Sequence, residues 1–389
     1  MNKVLSQAAN KTAEKTGQVV LIIACSETDS NMYYASQFLA PDPFIFLRAK
    51  GYSYLLMSDL EVDRARAQAE VDVVLSYSEY EKSLKKKGMA HPEIIEVVHA
   101  LLKEKKIKEV VVPPNFPLEY GDGLRNRGIA LKIKPEPFFE ERLIKSREEI
   151  SAIRKTQAAV EEVMDEAVET LRQTESKGGK LYLKGTVLTS EFMRHQMHYS
   201  LMEKGYVAQH TIIACGADAC DPHNVGSGPL RANKPIIFDI FPRSNQSRYY
   251  ADMSRTVVKG KASAGVKKLY NTVLEGQNLG IALVRDGAHG KMIHEEITAF
   301  FEKQGYHTGK QDGRMQGFFH GTGHGLGLDI HELPRISKSD WVLQKGEVVT
   351  VEPGLYYPNI GAVRIEDMVL VEEKGCQNLT TYPKELEIN

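Results

Sequence analysis

The order of apolar and polar positions splits the chain into two differently built halves. VVLIIAC (19–25) is a continuous apolar run with the length of a buried strand. FIFLRA (44–49) and YSYLLMS (52–58) are β-prone runs separated by Lys50-Gly51, the spacing of a tight hairpin. Helical spacing follows from about Leu60 to Gln68, then a strand-like run, VDVVLSY (71–77). HPEIIEVVHALLKEKK (91–106) puts Ile94, Ile95, Val98, Leu101 and Leu102 on one helical stripe. EVVVPP (109–114) and IALKIK (129–134) read as two more strands, and residues 1–17 as a polar helix or a loose end. Strands alternating with helices predict an α/β domain over residues 1–138.

KPEPFFEERL (134–143) has the composition of a junction, so a second domain is expected over 139–389. Its first helix starts at a capping box, Ser146 with Glu149, in which each side chain satisfies an orphan amide of the first turn. Ile150, Ile153, Val160, Met164, Val168 and Leu171 give that helix one apolar face. Two further helices are predicted from about Val266 to Val284 and from Lys291 to Lys303. Strand-rich stretches lie before and after them.

Two of these stretches echo each other. PIIFDIFPRSNQSRYYADMSRTVV (235–258) carries Asp239 and Asp252, 13 residues apart, and EVVTVEPGLYYPNIGAVRIEDMVLV (347–371) carries Glu352 and Glu366, 14 apart. In each, an apolar run leads into the first acid and a turn region precedes a second β-prone run bearing the other. Each pair therefore reads as a hairpin with one acid on each arm, and two such hairpins predict pseudo-symmetric halves facing one centre.

A single acid among strands is ordinarily a strand-end residue facing water. Here Phe238 and Ile240 flank Asp239, Val351 precedes Glu352, and Ile365 precedes Glu366, so burial is expected for the set. Four ionised carboxylates buried together each pay desolvation and repel the others. Two divalent cations would balance the four charges. Oxygen ligands with one imidazole suit manganese first, with cobalt, zinc or iron as alternatives. A pair of metals about 3.5–4 Å apart can hold a bridging hydroxide and polarise a carbonyl, which is hydrolytic chemistry.

The imidazole comes from HGTGHGLGLDIHE (320–332). In an extended chain its period of two puts His320, Thr322 and His324 on one face and glycines on the other, where another backbone can approach closely. The i, i+4 histidines do not form a helical zinc motif, because glycines intervene and the glutamate is missing. His320 also has a purely structural reading, as a packed and hydrogen-bonded histidine. Arg364, two residues before Glu366, shares its strand face and is suited to orienting the metal carboxylates from behind. His223, in DACDPHNVGSG, reads on its own as loop surface.

Bulk properties narrow the remaining classes. A chain of 389 residues fits about two domains. The formal net charge of −1 provides no global field to recruit nucleic acid or an anionic membrane. Lysines at 85–87 and in KEKKIKE (103–109) read as solvated helix faces. Cys25, Cys215, Cys220 and Cys376 lack metal-finger spacing, and no apolar run can span a bilayer. A cytoplasmic protein is expected, with neither nucleic acid nor membrane as partner.

The order DIF…YYADMSRT, HGTGHGLGLDIHE, VEPGLYYP and VRIEDMVLV resembles the pita-bread metallopeptidases: Xaa-Pro aminopeptidase, prolidase and, more distantly, methionine aminopeptidase. The resemblance runs from about Arg142 to the C-terminus and includes RLIKSREEISAIR (142–154). The N-terminal half is similar in size and α/β character to a creatinase-type domain. The resemblance implies a metallo-exopeptidase with two divalent metals, acting on peptides with proline in second position, in a homodimer. It implies that Asp239 chelates one metal, that Asp252 and Glu366 bridge, and that His324 and Glu352 hold the other. His223 and His331 would contact substrate and pass protons to the leaving amine, with His320 also near substrate. Glu352 would accept the proton of the nucleophilic water, and Arg364 with Tyr356 would stand behind the carboxylates.

Two features bear on specificity. HELPRIS (331–337) resembles prolidases, in which an arginine at the position of Arg335 pairs with the dipeptide carboxylate. That favours a dipeptidase over an aminopeptidase for longer peptides. The family pattern Asp-x-Gly-Ala is replaced by Asp239-Ile-Phe241-Pro242, which puts one pocket wall in doubt. A metal-free creatinase-like hydrolase and a binding module that keeps the ligands without peptidase activity are the competing readings. The intact ligand set weighs against the first; against the second weigh the near-zero charge and the fact that binding members of the resembled fold, which take histones, nucleic acid or other proteins, have lost these ligands.

Overall fold

The structure, a computed structural model, describes residues 17–389. The N-terminal stretch expected as a polar helix or loose end lies, apart from Gly17, outside them. The chain divides into two compact units, with the division between Arg142 and Leu143.

The first unit is built on a six-stranded sheet of β1 (Val20–Ala24), β2 (Phe44–Ala49), β3 (Tyr52–Met57), β4 (Val73–Ser76), β5 (Glu109–Val112) and β6 (Ala130–Ile133), in the order β4-β3-β2-β1-β5-β6. Strands β1, β2 and β3 pair antiparallel, while β4, β5 and β6 join in parallel. Lys50 and Gly51 both adopt positive φ (53° and 79°), the conformation that a two-residue hairpin turn of this twist requires. The helices are α1 (Ser30–Ser36), α2 (Val62–Gln68), α3 (Tyr77–Lys86), α4 (Ile94–Glu104) and α5 (Leu118–Arg125). The apolar stripe of α4 (Ile95, Val98, Leu101 and Leu102) packs with Leu21, Ile23 and Val110 of the sheet. Helix α3 was not evident in the sequence. The run read as a strand through Tyr77 ends at Ser76, whose hydroxyl accepts from the Glu79 amide and so starts a helix instead.

The second unit opens with α6 (Arg147–Arg172), which starts at the expected Ser146–Glu149 capping box. It continues with α7 (Ser190–Glu203) and then β7 (Ile212–Cys215), β8 (Ile236–Ile240) and β9 (Met253–Lys259). Next come α8 (Ala264–Leu283) and α9 (Gly290–Lys303). The closing strands are β10 (Gly323–Gly325), β11 (Glu332–Ile336), β12 (Val348–Val351), β13 (Gly354–Tyr357), β14 (Gly361–Arg364), β15 (Asp367–Glu372), β16 (Gly375–Asn378) and β17 (Glu387–Ile388). One sheet has the order β7-β8-β9-β17 and the other β11-β10-β12-β15-β16. Helices α8 and α9 cover the second, burying Leu269, Val273, Ile293, Ile297 and Phe301 against Val349, Val351 and Val369.

The two acid pairs sit in the expected antiparallel frames, β8 with β9 and β12 with β15. The second frame is nested: the turn at 358–360 closes a separate hairpin, β13 with β14, inside it. Glu352 therefore follows β12 and Glu366 precedes β15, so both acids stand where strands end. Hydrogen bonds tie the frames together. The Thr256 hydroxyl donates to the Arg364 carbonyl (2.9 Å), and the Glu366 amide to the Ser254 carbonyl (3.1 Å). These bonds bring the two pairs face to face.

Candidate metal centre

The frames meet at a cavity of about 320 Å³. It is lined by Asp239, Asp252, His324, Glu352 and Glu366, and also by His223, His320, His331, Arg335 and Arg364. Tyr356 is fully buried and reaches the cavity only through His320 and Arg364. Every residue singled out in the sequence thus converges on one place. Phe241, with Ile212, Pro222 and Ile330, supplies the apolar part of the wall.

Glycine makes the histidine strand possible. A Cβ on Gly323 would lie 1.9 Å from the Thr350 carbonyl oxygen, and one on Gly325 would lie 2.3 Å from that of Leu333. The bare face of this stretch is therefore filled by the neighbouring backbone. On the other face His320 and His324 reach the cavity, while Thr322 is buried between them against Nδ1 of His294 (3.0 Å).

The hydrogen bonds fix the tautomers. Nδ1 of His324 lies 3.1 Å from the Gly325 carbonyl, which can only accept, so Nδ1 carries the proton. Burial, then His331, pushes this imidazole down to about 3, so it is neutral. Its Nε2 lone pair then faces the Glu352 carboxylate at 3.4 Å and that of Asp252 at 3.7 Å, too long for charge-assisted hydrogen bonds. A lone pair aimed at two carboxylates, with no hydrogen bond to either, suits a cation placed between them.

The acids repeat the point. Donor atoms of Asp252, His324 and Glu366 lie within 4.8 Å of one another. Oδ1 of Asp252 and Oε1 of Glu366 are buried without a hydrogen-bond partner. Burial first and neighbouring carboxylates second raise both acids well above the ordinary range, and burial lifts Glu352 to about 7. Protein that had to keep these groups ionised alone would be poorly arranged. Orphan oxygens, a neutral imidazole and clustered acids together fit divalent cations.

Arg364 organises the rear of the site. Its Nη2 donates to Asp239 (2.6 Å), its Nη1 to the Tyr356 hydroxyl (3.1 Å) and its Nε to the Ser254 hydroxyl (2.9 Å). Tyr356 in turn lies 2.9 Å from Nε2 of His320, whose Nδ1 donates to the Gly321 carbonyl. Ser254 donates to Oε2 of Glu366 (2.9 Å). Ser254 was not singled out in the sequence, although it stands two residues after Asp252 on the same strand face. Elsewhere on the cavity wall, His331 stacks edge-on to His324 (ring centroids 4.4 Å apart), and Arg335 is the cross-strand neighbour of His324.

Residues 151–373 match the model of metallopeptidase family M24. The chain is 34% identical over 251 residues to a Xaa-Pro dipeptidase of Pyrococcus furiosus, a match covering 63% of this chain and 65% of that relative. It is 28% identical, over 99% of both chains, to an uncharacterized peptidase of Staphylococcus aureus. Two solved structures share the fold. A Xaa-Pro dipeptidase from Bacillus anthracis has a TM-score of 0.83 at 23% identity over the whole of both chains. An X-Pro aminopeptidase from Thermotoga maritima has 0.80 at 22% identity, over 98% of this chain and all of that one. None of the described helices is long and apolar enough to cross a membrane. With a family match that spans both acid frames and the histidine strand between them, the chain belongs to metallopeptidase family M24.

Proposed function

We propose that the protein is a dinuclear metal-dependent exopeptidase that hydrolyses Xaa-Pro bonds and prefers dipeptides. The observation that carries the metal reading is the neutral His324 facing Glu352 and Asp252 with no proton to share. Asp252 and Glu366, each with a free buried oxygen, would be the pair shared by two metals; Asp239 would help to hold one, and His324 with Glu352 the other. When bound, two divalent ions, manganese first, supply an activated water and an electrophile for the scissile carbonyl. Four carboxylates match the charge of two such ions.

The chain's own groups account for the remaining steps. Glu352, at the cavity, accepts the proton of the nucleophile. His223 and His331 pass a proton to the leaving imino nitrogen. His320, held in one tautomer by Gly321 and Tyr356, orients substrate. Arg335 meets the carboxylate that a dipeptide presents and a longer peptide lacks. Phe241 and Ile330 offer an apolar surface to the substrate side chains. Four free cysteines agree with a reducing compartment such as the cytoplasm.

The test is a side-by-side assay of Xaa-Pro and Xaa-Pro-Yaa substrates on manganese-reconstituted enzyme. Dipeptide turnover that chelation abolishes and manganese restores is expected. Faster cleavage of the tripeptide would assign an aminopeptidase, and turnover of neither would overturn the peptidase reading.

A further inference from the structure

The C-terminal residues beyond the family match reach the metal centre from behind. Arg255, three residues after Asp252 on β9, has a side chain only 2% exposed. All five of its N–H groups have acceptors. Nη1 donates to the carbonyls of Glu366 (2.6 Å) and Ser254 (2.9 Å), and Nη2 to Oδ1 of Asp367 (2.8 Å) and the Tyr382 carbonyl (2.9 Å). Nε donates to the Pro383 carbonyl (3.1 Å). The fork thus holds the backbone of the ligand Glu366, and also that of Ser254, whose hydroxyl grips the Glu366 carboxylate.

Asp367 closes the arrangement from the other side. Its side chain is 0% exposed, and its second oxygen takes Lys384 Nζ at 2.6 Å and Asn378 Nδ2 at 2.8 Å. Two of the five acceptors of Arg255 and one of the two cations on Asp367 therefore come from Tyr382–Lys384. The chain then returns along β9, with Val258 donating to the Leu386 carbonyl and β17 pairing in parallel. The matched family region ends at residue 373, short of all of them. A peptide linkage held on both sides by a fully satisfied buried fork has little freedom to shift, and Glu366 is attached to that linkage.

We propose that Tyr382–Lys384 is a latch that positions Glu366 through Arg255 and Asp367, so that the last residues of the chain set its metal affinity. Arg255 is a positioning residue, and lysine cannot replace it: one ammonium offers three N–H groups from a single atom, against five spread over a planar fork. Lys384 is the accessible part of the latch, with a side chain 20% exposed. The proposal rests on Glu366 being a metal ligand, which the same experiment tests separately.

Full-length wild type and the variants Arg255→Lys, Lys384→Met, Lys384→Arg and Glu366→Gln are stripped of metal and titrated with Mn²⁺ against a chelating dye. Urea unfolding of each metal-free protein is recorded in parallel. Arg255→Lys and Lys384→Met are expected to weaken Mn²⁺ binding by about 10- to 100-fold, the range for groups that orient metal ligands, and Lys384→Arg to restore most of it. If Arg255→Lys does not fold, Lys384→Met alone decides, since it keeps the stem and removes only the charge. Lower urea midpoints with unchanged Mn²⁺ affinity would show a merely structural role and overturn the latch. Wild type that binds no Mn²⁺, or Glu366→Gln that binds as tightly as wild type, would overturn the metal assignment itself.

Discussion

Replacing Asp252 by asparagine should change stability in opposite directions with and without metal. In the metal-free protein Asp252 and Glu366 are buried, have donor atoms within 4.8 Å of each other, and each keep an unpartnered oxygen. Ionised together, two unit charges at that distance repel by about 3 kcal/mol at an effective dielectric constant of about 20, and keeping a proton on the pair instead carries a cost that grows as the pH rises to 8. The isosteric amide removes this repulsion and leaves the packing unchanged. For a unit the size of the catalytic one, about 3 kcal/mol corresponds to a melting temperature roughly 6–12 °C higher. With metal present the order reverses. Wild type gains about 4.1 kcal/mol at a free ion concentration of about 1,000 Kd, more than the repulsion it carries, whereas an amide is a poor bridge between two cations and the variant gains nothing.

The assay is thermal unfolding of both proteins at pH 8, in EDTA and then in a graded series of Mn²⁺. The expected outcome is a metal-free variant that melts above metal-free wild type and does not respond to Mn²⁺. A variant that melts lower in EDTA and still shifts with Mn²⁺ would refute both the electrostatic account of the cluster and the bridging role of Asp252. Xaa-Pro turnover should be lost in the same variant.

Three further outcomes follow from the geometry. Arg335→Ala should raise KM for an Xaa-Pro dipeptide about tenfold or more, the value of one hydrogen bond to a charged group, and leave an Xaa-Pro-Yaa tripeptide unchanged; equal effects on both would remove the dipeptide preference. Gly226 has φ +80°, and a Cβ there would lie 1.9 Å from the Ile213 carbonyl oxygen. Gly226→Ala should therefore displace the His223 loop, lowering kcat with Mn²⁺ affinity unchanged, as steady-state kinetics and dye competition would record. Glu347, 0% exposed and lifted by burial to about 7, holds its stability contribution fully below its unfolded value near 4.5 and loses it as pH rises through about 7. Glu347→Gln should then unfold at higher urea than wild type at pH 9, by about 2 kcal/mol after losing one of the bonds from Gln344 and Trp341, and at lower urea at pH 5.

What could be read from the sequence, and what could not, divides along a physical line. Asp239, Glu352 and Glu366 stood out because acids do not belong among Phe238, Ile240, Val351 and Ile365 unless something offsets their charge. His324 stood out because alternating glycines leave a chain one bare face. Both signals are local, carried by neighbours within two or three residues. Helix α7 gave no such signal: it buries Met193, Met197 and Leu201 while Phe192, Tyr199 and Met202 stay exposed, so its apolar residues do not gather on one stripe. Ser254, Arg255, Asp367 and Lys384 were silent for a different reason. A charged side chain in a sequence is taken as solvated, and only its partner shows otherwise. The partner of Arg255 is 112 residues away on another sheet, so no spacing rule links them. The candidate ligands are legible because their chemistry conflicts with their neighbours. The groups that aim them are not, because each is ordinary where it stands and becomes exceptional only when the fold buries it against a distant opposite charge.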